Sequence, residues 1–387
     1  MKRFFLHSKT LLTTFILLSL TLQTATAMAY GEQDKHSSKE ECSTDGPYLI
    51  HLPGGSLRMI TVNPLKQIVD TTLATIPRSF SFPVLSNKGR TLFEVSLHSL
   101  KKQSPQMKQA EKVLVVSDPH GNFDCFAELL QANGVINKQY KWTFGSNQLV
   151  IIGDVFDRGK DVLPILWLIY KLEKEAQDAG GAVVFLLGNH EVMVLQGDTR
   201  YVKEKYTALA RQLHLSYKTL FDESSELGRW LSMCNTIQLI GKNLFVHAGL
   251  SSDLYKRKLS VAQINSTISN TLFLPKEDKK SISPLTDFLY GSNGPIWYRG
   301  MVKSDDKYKP LSTDILSLLL NQYGADRIIV GHTIFPDITT FNDGRIIAIN
   351  VDNKENREKK LGRGILIENN KISVIGDSGM LKKQLPL

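Results

Sequence analysis

The chain has 387 residues, of which 42% are hydrophobic and 22% charged, and its formal net charge at pH 7 is +9. This composition is typical of a globular protein and excludes the fibrous and intrinsically disordered classes. Lysine and arginine are scattered along the sequence, which argues against a nucleic-acid partner. The densest basic run, NKENREKK, is predicted to be a solvated loop.

The first 29 residues have the pattern of a secretory signal peptide. A basic start precedes the apolar run LLTTFILLSLTL, and small residues permit cleavage after Ala27 or Ala29. Because the run is short for a bilayer span, we expect an exported protein, periplasmic or secreted, without stable membrane insertion after cleavage. An uncleaved membrane anchor is the alternative. The polar residues 30–46 are predicted to be a flexible leader, followed by one folded domain over residues 47–387 that we expect to be monomeric.

The three cysteines show no metal-type spacing, and an odd number argues against a disulfide framework. Cys125 and Cys234 lie in apolar surroundings and are predicted to be buried. Cys42 lies in the polar stretch SSKEECSTDG, so the sequence leaves open whether it forms one bridge.

The apolar pattern predicts a layered α/β fold. Two strands are expected around a Pro-Gly-Gly turn in PYLIHLPGGSLRMITV, whereas residues 83–112 read as a helix or a polar connector. Helices are predicted between the strands KVLVVSD, NQLVIIGD and AVVFLLGN, and this alternation implies parallel crossover connections. A helical insertion over about residues 200–232 is expected to shape substrate access. The further predicted strands are KVLVVSD, NQLVIIGD, AVVFLLGN, NLFVHAG, DRIIVGH, RIIAINV and GILIE, with KISVI closing the chain.

Polar residues follow five of these strands directly. A single such residue is more often a helix cap or a turn residue, but the carboxyl ends of strands meet at one edge of a sheet, so five together indicate a site. Carboxylate and imidazole ligands favour zinc, manganese or iron over magnesium or calcium. A pair of metal ions needs a bridging carboxylate, for which Asp154 is the natural choice. The six candidate metal ligands are Asp118, His120, Asp154, Asn189, His247 and His332.

Four more residues are predicted to act on the substrate. Arg158 in GDVFDRG and Arg299 in GPIWYRG offer planar guanidinium groups suited to phosphate oxygens, although a structural salt bridge is the alternative for Arg158. His190 follows Asn189 directly and is placed to protonate a leaving oxygen, with Asp157 as the partner that orients it.

These motifs resemble the calcineurin-like metallophosphoesterases, and specifically the phosphoprotein phosphatase family. SDPHG, GDVFDRG, LLGNHE, FVHAG and VGHT occur in that family's order over about residues 113–352, and DGPY, ELGRWL and GPIWYRG look most like the bacterial Shewanella-like phosphatases. The resemblance implies a four-layer α/β/β/α sandwich and direct attack on the phosphate monoester by a metal-bridging hydroxide. It places Asp118, His120 and Asp154 on one metal ion, and it assigns the other ion to Asp154, Asn189, His247 and His332.

The resemblance also implies that Arg158 and Arg299 bind the phosphoryl group and that His190 and Asp157 serve the leaving group. Two positions depart from the family pattern without removing a ligand: Pro119 replaces a residue that is often β-branched, and Ala248 replaces a commoner glycine. The expected function is a phosphoprotein phosphatase acting on phosphotyrosine, phosphoserine or phosphothreonine. The alternatives are a hydrolase of dinucleoside polyphosphates or other small phosphate esters and, more remotely, an inactive secreted binding module.

Overall fold

The computed structural model describes residues 42–304 and 307–385, so the predicted signal peptide and most of the predicted leader lie outside the described residues. The strands in chain order are β1 (Asp45–His51), β2 (Leu57–Val62), β3 (Ile68–Leu73), β4 (Ser81–Leu85), β5 (Thr91–Ser96), β6 (Gln106–Met107), β7 (Lys112–Val116), β8 (Gln148–Ile151), β9 (Ala182–Phe185), β10 (Ile237–Ile240), β11 (Asn243–Val246), β12 (Arg327–Val330), β13 (Thr339–Phe341), β14 (Ile346–Ala348), β15 (Gly364–Glu368), β16 (Lys371–Gly376) and β17 (Gly379–Gln384).

The α-helices in chain order are α1 (Phe123–Ala132), α2 (Val162–Asp178), α3 (Asn189–Leu195), α4 (Glu204–Gln212), α5 (Glu226–Met233), α6 (Ser252–Lys256), α7 (Val261–Thr271), α8 (Lys276–Ile282), α9 (Pro284–Tyr290), α10 (Thr313–Tyr323) and α11 (Asn353–Lys359). Short 3-10 helices cover Pro53–Gly55 and Tyr217–Phe221. None of the helices in the described part of the chain combines the length and apolar character that a membrane crossing requires.

Two six-stranded sheets form the centre of the fold. One has the order β17-β16-β15-β7-β8-β9 and the other β13-β14-β12-β11-β10-β6. Strand β7 shows how they pack, because Val113 and Val115 belong to one buried cluster with Phe245 and Ile329 of the second sheet, whereas Leu114 contacts the helical side. Since neighbouring side chains of a strand point to opposite faces, β7 is buried on both. The arrangement is a sandwich with helices outside, as the predicted α/β fold class requires.

The parallel crossover connections that the apolar pattern predicted are present. β7, β8 and β9 are parallel neighbours, and helices α1 and α2 connect them. Helix α1 ends at Ala132, next to the predicted stop, and Pro164 lies in the first turn of α2, where its missing N–H removes no helical hydrogen bond. The predicted helical insertion is confirmed as α4, the second 3-10 helix and α5.

Three predictions about secondary structure were wrong. The leader was expected to reach residue 46, but β1 begins at Asp45, and the side chains of Cys42 and Asp45 are only 4% exposed. The run NKENREKK forms α11 instead of a loop, because Asp352 caps it by accepting a hydrogen bond from the Glu355 N–H at 2.9 Å. The chain does not close on KISVI, since β17 pairs antiparallel with β16.

The structure also answers the questions that the sequence left open about residues 83–112 and the cysteines. Residues 83–112 contain β5 and β6 and no helix, and the Pro-Gly-Gly turn does join the antiparallel strands β1 and β2. Cys42, Cys125 and Cys234 are all buried and free, so none of them forms a disulfide.

Candidate metal centre and active site

The predicted ligand residues converge at the carboxyl ends of the central strands. Three come from the loops that follow β7 and β8, one from the loop after β9, and two from the second sheet after β11 and β12. Each side chain is at most 7% exposed. The structure therefore brings together all six residues that the sequence singled out, namely Asp118, His120, Asp154, Asn189, His247 and His332.

Asp154 lies at the centre of this cluster. Its Oδ2 atom is 3.3 Å from His247 Nε2, 3.8 Å from His120 Nε2 and 3.9 Å from His190 Nε2. Its other oxygen accepts the His190 backbone N–H at 3.0 Å. One carboxylate oxygen thus faces imidazoles from both sheets, which is the position that a bridging ligand needs.

Two histidines are oriented by backbone carbonyl oxygens. His120 donates from Nδ1 to the Phe156 carbonyl at 2.9 Å, and His247 donates from Nδ1 to the Ile152 carbonyl at 2.9 Å. These bonds direct the Nε2 atoms toward the cluster, an arrangement common around histidine metal ligands. His247 Nε2 also lies 3.0 Å from Asn189 Oδ1 and 3.2 Å from His332 Nδ1.

The cluster contains buried polar atoms without a hydrogen-bond partner among the described residues. Asp118 Oδ1 and His332 Nε2 are two of them. Burial raises the pKa of Asp118 to about 7, because the surrounding protein compensates its negative charge poorly. Cations held beside Asp118 and Asp154 would supply that compensation, so the residues present fit a metal centre.

Metal-ligand atoms also form two compact groups, each with its atoms within 4.8 Å of one another. Asp154, His247 and His332 form one group, and His120, Asp154 and His190 form the other. The second group contains His190, which was predicted to serve catalysis, and lacks Asp118, which was predicted to be a ligand. Asp118 instead uses Oδ2 to accept the His332 backbone N–H at 3.1 Å.

The backbone around the cluster is strained. Non-glycine residues rarely adopt positive φ, and such conformations concentrate at functional sites. Glycines give the neighbouring loops room: a Cβ at Gly331 would lie 2.5 Å from Asp118 Oδ2. Six predicted site residues have φ between 41° and 70°, namely Asp118, His120, Asp154, Asp157, Arg158 and His332.

His190 and Asp157 form the predicted pair. His190 Nδ1 lies 2.5 Å from Asp157 Oδ2, and both residues are buried. Burial by itself lowers the pKa of His190, but the charge of Asp154 and the hydrogen bond to Asp157 outweigh it and raise the pKa above its ordinary value. Arg158 Nη2 is 3.5 Å from His190 Nε2.

The two predicted phosphate ligands line one cleft next to the cluster. Arg299 donates from Nη1 to the His332 carbonyl at 3.2 Å and to Thr333 Oγ1 at 3.1 Å. Arg158 is exposed, and its guanidinium group contacts His190 without forming a salt bridge to a carboxylate in the described part of the chain. Both guanidinium groups therefore lie in the same cleft as His190.

The family profile described as calcineurin-like phosphoesterase matches residues 111–336, well over half of the chain. The chain belongs to the calcineurin-like phosphoesterase family. A metallophosphoesterase of this family hydrolyses phosphate esters, so the protein is a hydrolytic phosphoesterase, and its buried His/Asp cluster is compatible with a dinuclear metal site.

Several proteins resemble this phosphoesterase over most of its folded part. An uncharacterised protein of Schizosaccharomyces pombe is 31% identical over 264 residues, which cover 63% of this chain and 74% of that protein. Shewanella-like protein phosphatase 2 of Arabidopsis thaliana is 25% identical, with 59% and 68% covered. The crystal structure of a cold-active protein-tyrosine phosphatase from a psychrophilic Shewanella species has a TM-score of 0.79 and 30% identity, and the match covers 89% of this chain and 99% of that one.

This phosphoesterase has site features that the motifs did not reveal. Glu191, fully buried in α3, accepts hydrogen bonds from the backbone N–H groups of Gly188, Asp154, Val155 and Phe156. Its position inside GNHE was the available signal. The rings of Tyr201 and Trp297 flank the cluster. Trp297 lies in GPIWYRG, which was singled out for Arg299 alone, and no motif contained Tyr201.

Both departures from the family pattern fit the fold of this phosphoesterase. Pro119 lies between Asp118 and His120, and its carbonyl accepts the Asn122 N–H at 2.9 Å. Ala248 is buried, and its N–H donates to the Pro295 carbonyl at 3.1 Å. Neither residue displaces a predicted ligand.

Proposed function

We propose that the protein is an exported phosphoprotein phosphatase that acts on phosphotyrosine in preference to phosphoserine and phosphothreonine. The observation that carries this proposal is a pair of aromatic rings beside the cluster. The centre of the Tyr201 ring lies 5.4 Å from that of His190, and the centre of the Trp297 ring lies 5.9 Å from that of His332. Tyr201 is 50% exposed, and both rings line the cleft. A phenyl leaving group would find apolar surface on both sides.

The likeness to the Shewanella protein-tyrosine phosphatase supports the same substrate class. We further propose zinc, manganese or iron as the bound ions, since the ligand set mixes imidazole with carboxylate and amide oxygens. The export proposal rests on the signal-peptide pattern of residues 1–29 alone.

Six residues would hold the two ions, with Asp154 shared between them, as the distances around Asp154 Oδ2 suggest. When bound, such a pair supplies positive charge that lowers the pKa of water and offsets charge on the phosphoryl oxygens. Arg158 and Arg299 would bind the phosphoryl oxygens from the cleft side and fix their orientation for in-line displacement.

His190 would handle the proton of the leaving oxygen. The pKa of a phenol is near 10, so a tyrosine leaving group departs more readily when a neighbour protonates it. The charge of Asp154 and the hydrogen bond to Asp157 raise the pKa of His190, and Asp157 holds the ring in place through Nδ1. No residue of the cluster needs to form a covalent bond to phosphorus in this scheme.

The test is a substrate panel with the purified full-length chain, supplied separately with manganese, zinc or iron. We expect kcat/KM to be highest for a phosphotyrosyl peptide, lower for matched phosphoseryl and phosphothreonyl peptides, and lowest for a dinucleoside polyphosphate. A higher kcat/KM for the dinucleoside polyphosphate would favour the small-ester alternative and reject this proposal. Activity that does not depend on any added or bound metal would reject the metal centre.

A further inference from the structure

The active-site cleft extends well beyond the phosphoryl position. Its volume is about 460 Å³, and its lining includes residues of α8 and Tyr290 in addition to His190, Arg158 and Arg299. Among the described lining residues, seven are lysine or arginine and two are aspartate. Several basic side chains that are distant in the sequence therefore meet in this cleft, which suits a ligand with more negative charge than one phosphoryl group.

Helix α8 presents two of these charges to the cleft. Lys276 and Lys280 are four residues apart, so they lie on the same face of the helix, and both are exposed and line the cleft. Lys280 is 3.2 Å from Glu277, a surface pair that water and salt weaken. Lys276 has no ion pair within 4 Å among the described residues, although its charge helps to lower the pKa of Asp198 in the same cleft, so its ammonium group can also contact an incoming anion.

Lys279 holds this face in position. It is 1% exposed, its Nζ donates to the Leu272 carbonyl at 2.8 Å, and the same atom lies 4.3 Å from the centre of the Tyr290 ring. The buried Lys279 side chain thus contacts both the end of α7 and α9. Lys276 and Lys280, unlike Lys279, are exposed where they line the cleft.

The chemistry of these groups favours peptide carboxylates over a second phosphate. A dedicated phosphate site uses preorganised donors such as a bidentate guanidinium group, whereas exposed lysines are mobile point charges that suit several carboxylates at variable positions. Arg200, the guanidinium group at this side of the cleft, is already bound to Asp198 at 2.7 Å. A charged trough next to a phosphoryl site matches a chain that continues beyond the phosphorylated residue.

We propose that Lys276 and Lys280 make the enzyme selective for phosphopeptides that carry aspartate or glutamate beside the phosphorylated residue. This inference rests on the proposed phosphoprotein phosphatase function and identifies its substrate class more narrowly. The two lysines act on binding of the flanking residues and take no part in the chemical step.

The experiment compares three phosphotyrosyl peptides of equal length whose flanking residues are acidic, neutral or basic, together with a small aryl phosphate. Enzymes are the metal-loaded full chain, the Lys276→Glu/Lys280→Glu variant, and the control Lys138→Glu/Lys141→Glu. The control lysines are exposed and precede β8, so they lie at the end of the sheet opposite the site, and they carry the same change in charge. Thermal melting of all three proteins verifies that they are folded.

We expect the wild type to prefer the acidic over the neutral peptide by about tenfold in kcat/KM at low salt, and the preference to shrink as salt is added. The α8 variant should lose this preference and favour the basic peptide, with turnover of the aryl phosphate unchanged. The control should behave as the wild type does.

Equal kcat/KM for acidic and neutral peptides in the wild type would overturn the inference, even if every phosphopeptide is hydrolysed and the proposed function stands. Equal losses in the α8 variant and the control would also overturn it, since they would indicate only a long-range field. If the wild type hydrolyses the aryl phosphate but no phosphopeptide, the proposed function itself fails and the inference fails with it.

Discussion

Glu191 shows how much of the site depends on a single side chain outside the set of predicted ligands. Its carboxylate accepts N–H groups from Gly188 at 2.7 Å, from Asp154 and Val155 at 2.8 Å each, and from Phe156 at 3.2 Å. These bonds cap α3 and hold the backbone of Asp154 in its left-handed conformation. Because the donors are buried, water cannot replace the carboxylate.

We predict that Glu191→Gln lowers the free energy of unfolding of the metal-free protein by about 2–3 kcal/mol, because one acceptor oxygen is replaced by an NH₂ group that faces N–H donors. Urea denaturation measures the loss. The exposed Glu223→Gln is the matched control and should change stability by less than about 0.5 kcal/mol. A Glu191 variant as stable as this control would show that the carboxylate bonds are dispensable.

His190→Asn is predicted to lower kcat by about 100-fold or more while metal content stays at the wild-type level, because the variant loses the proton donor. The loss should be smaller for an aryl ester whose leaving group is a weak base and needs no proton. Metal analysis by mass spectrometry and kinetics on two aryl phosphates provide the measurement, with the exposed His214→Asn as control. Loss of one metal ion would instead make His190 a ligand, as its grouping with His120 and Asp154 permits.

Individual site residues could be predicted from the sequence where a metal-binding type of side chain directly follows a strand. Asp154 and His247 could be selected because each directly follows a buried apolar run. Tyr201 could not be selected, and Trp297 was noticed only as part of GPIWYRG, because only the folded chain shows which aromatic rings lie beside the site. The same holds for Lys276, whose neighbours in the sequence give no indication that the cleft lies beside it.

Among the elements, buried strands and amphipathic helices were predictable and charged helices were not. Helix α11 consists largely of lysine, glutamate and asparagine, so apolar periodicity gave no signal. Its stability comes from the cap at Asp352 and from Asn356, whose side chain donates to the Gly362 carbonyl at 2.8 Å. The three-residue spacing from Asp352 to Glu355 was the local sign of a helix start.

Helix α8 has a testable dependence on pH. Burial, with a smaller contribution from the charge of Lys218, lowers the pKa of Lys279 from 10.5 to about 7. The unfolded state therefore binds more protons than the folded state between these values, and this group makes folding more favourable as pH rises, by about 1.4 kcal/mol per unit.

Lys279→Met keeps the length of the side chain and removes the charge. We predict that the variant is more stable than the wild type near pH 6–7, and that its advantage shrinks as pH rises toward 10. Chemical denaturation of both proteins at several pH values gives the difference. A difference that stays constant with pH would show that Lys279 titrates normally and that its burial has little cost.

For the whole molecule, the sandwich arrangement followed from family resemblance and not from periodicity. Strands such as β7 and β12 are apolar on both faces, so their patterns do not reveal which strands share a sheet. The resemblance supplied that information, and the contacts between Val115 and the second sheet agree with it. What the pattern did predict is that the five strand endings meet, but they belong to two sheets and not, as expected, to one edge of a single sheet.

The position of the cluster between the sheets leads to a prediction for the intact protein. Asp118, His120, Asp154 and Asn189 follow strands of one sheet, whereas His247 and His332 follow strands of the other. Bound ions would therefore link the two sheets directly. Ligands that bind only the folded state stabilise it by about 4 kcal/mol when their concentration is a thousandfold above Kd.

We predict that removing metal with a chelator lowers the Tm of the wild type by at least about 5 °C, and that excess manganese or zinc restores it. Asp154→Asn should melt at the same temperature with and without chelator, since it loses the carboxylate that faces imidazoles from both sheets. Scanning calorimetry with parallel metal analysis measures both. A wild-type Tm that is insensitive to chelation, in protein shown to have lost its metal, would mean that the ions do not connect the sheets.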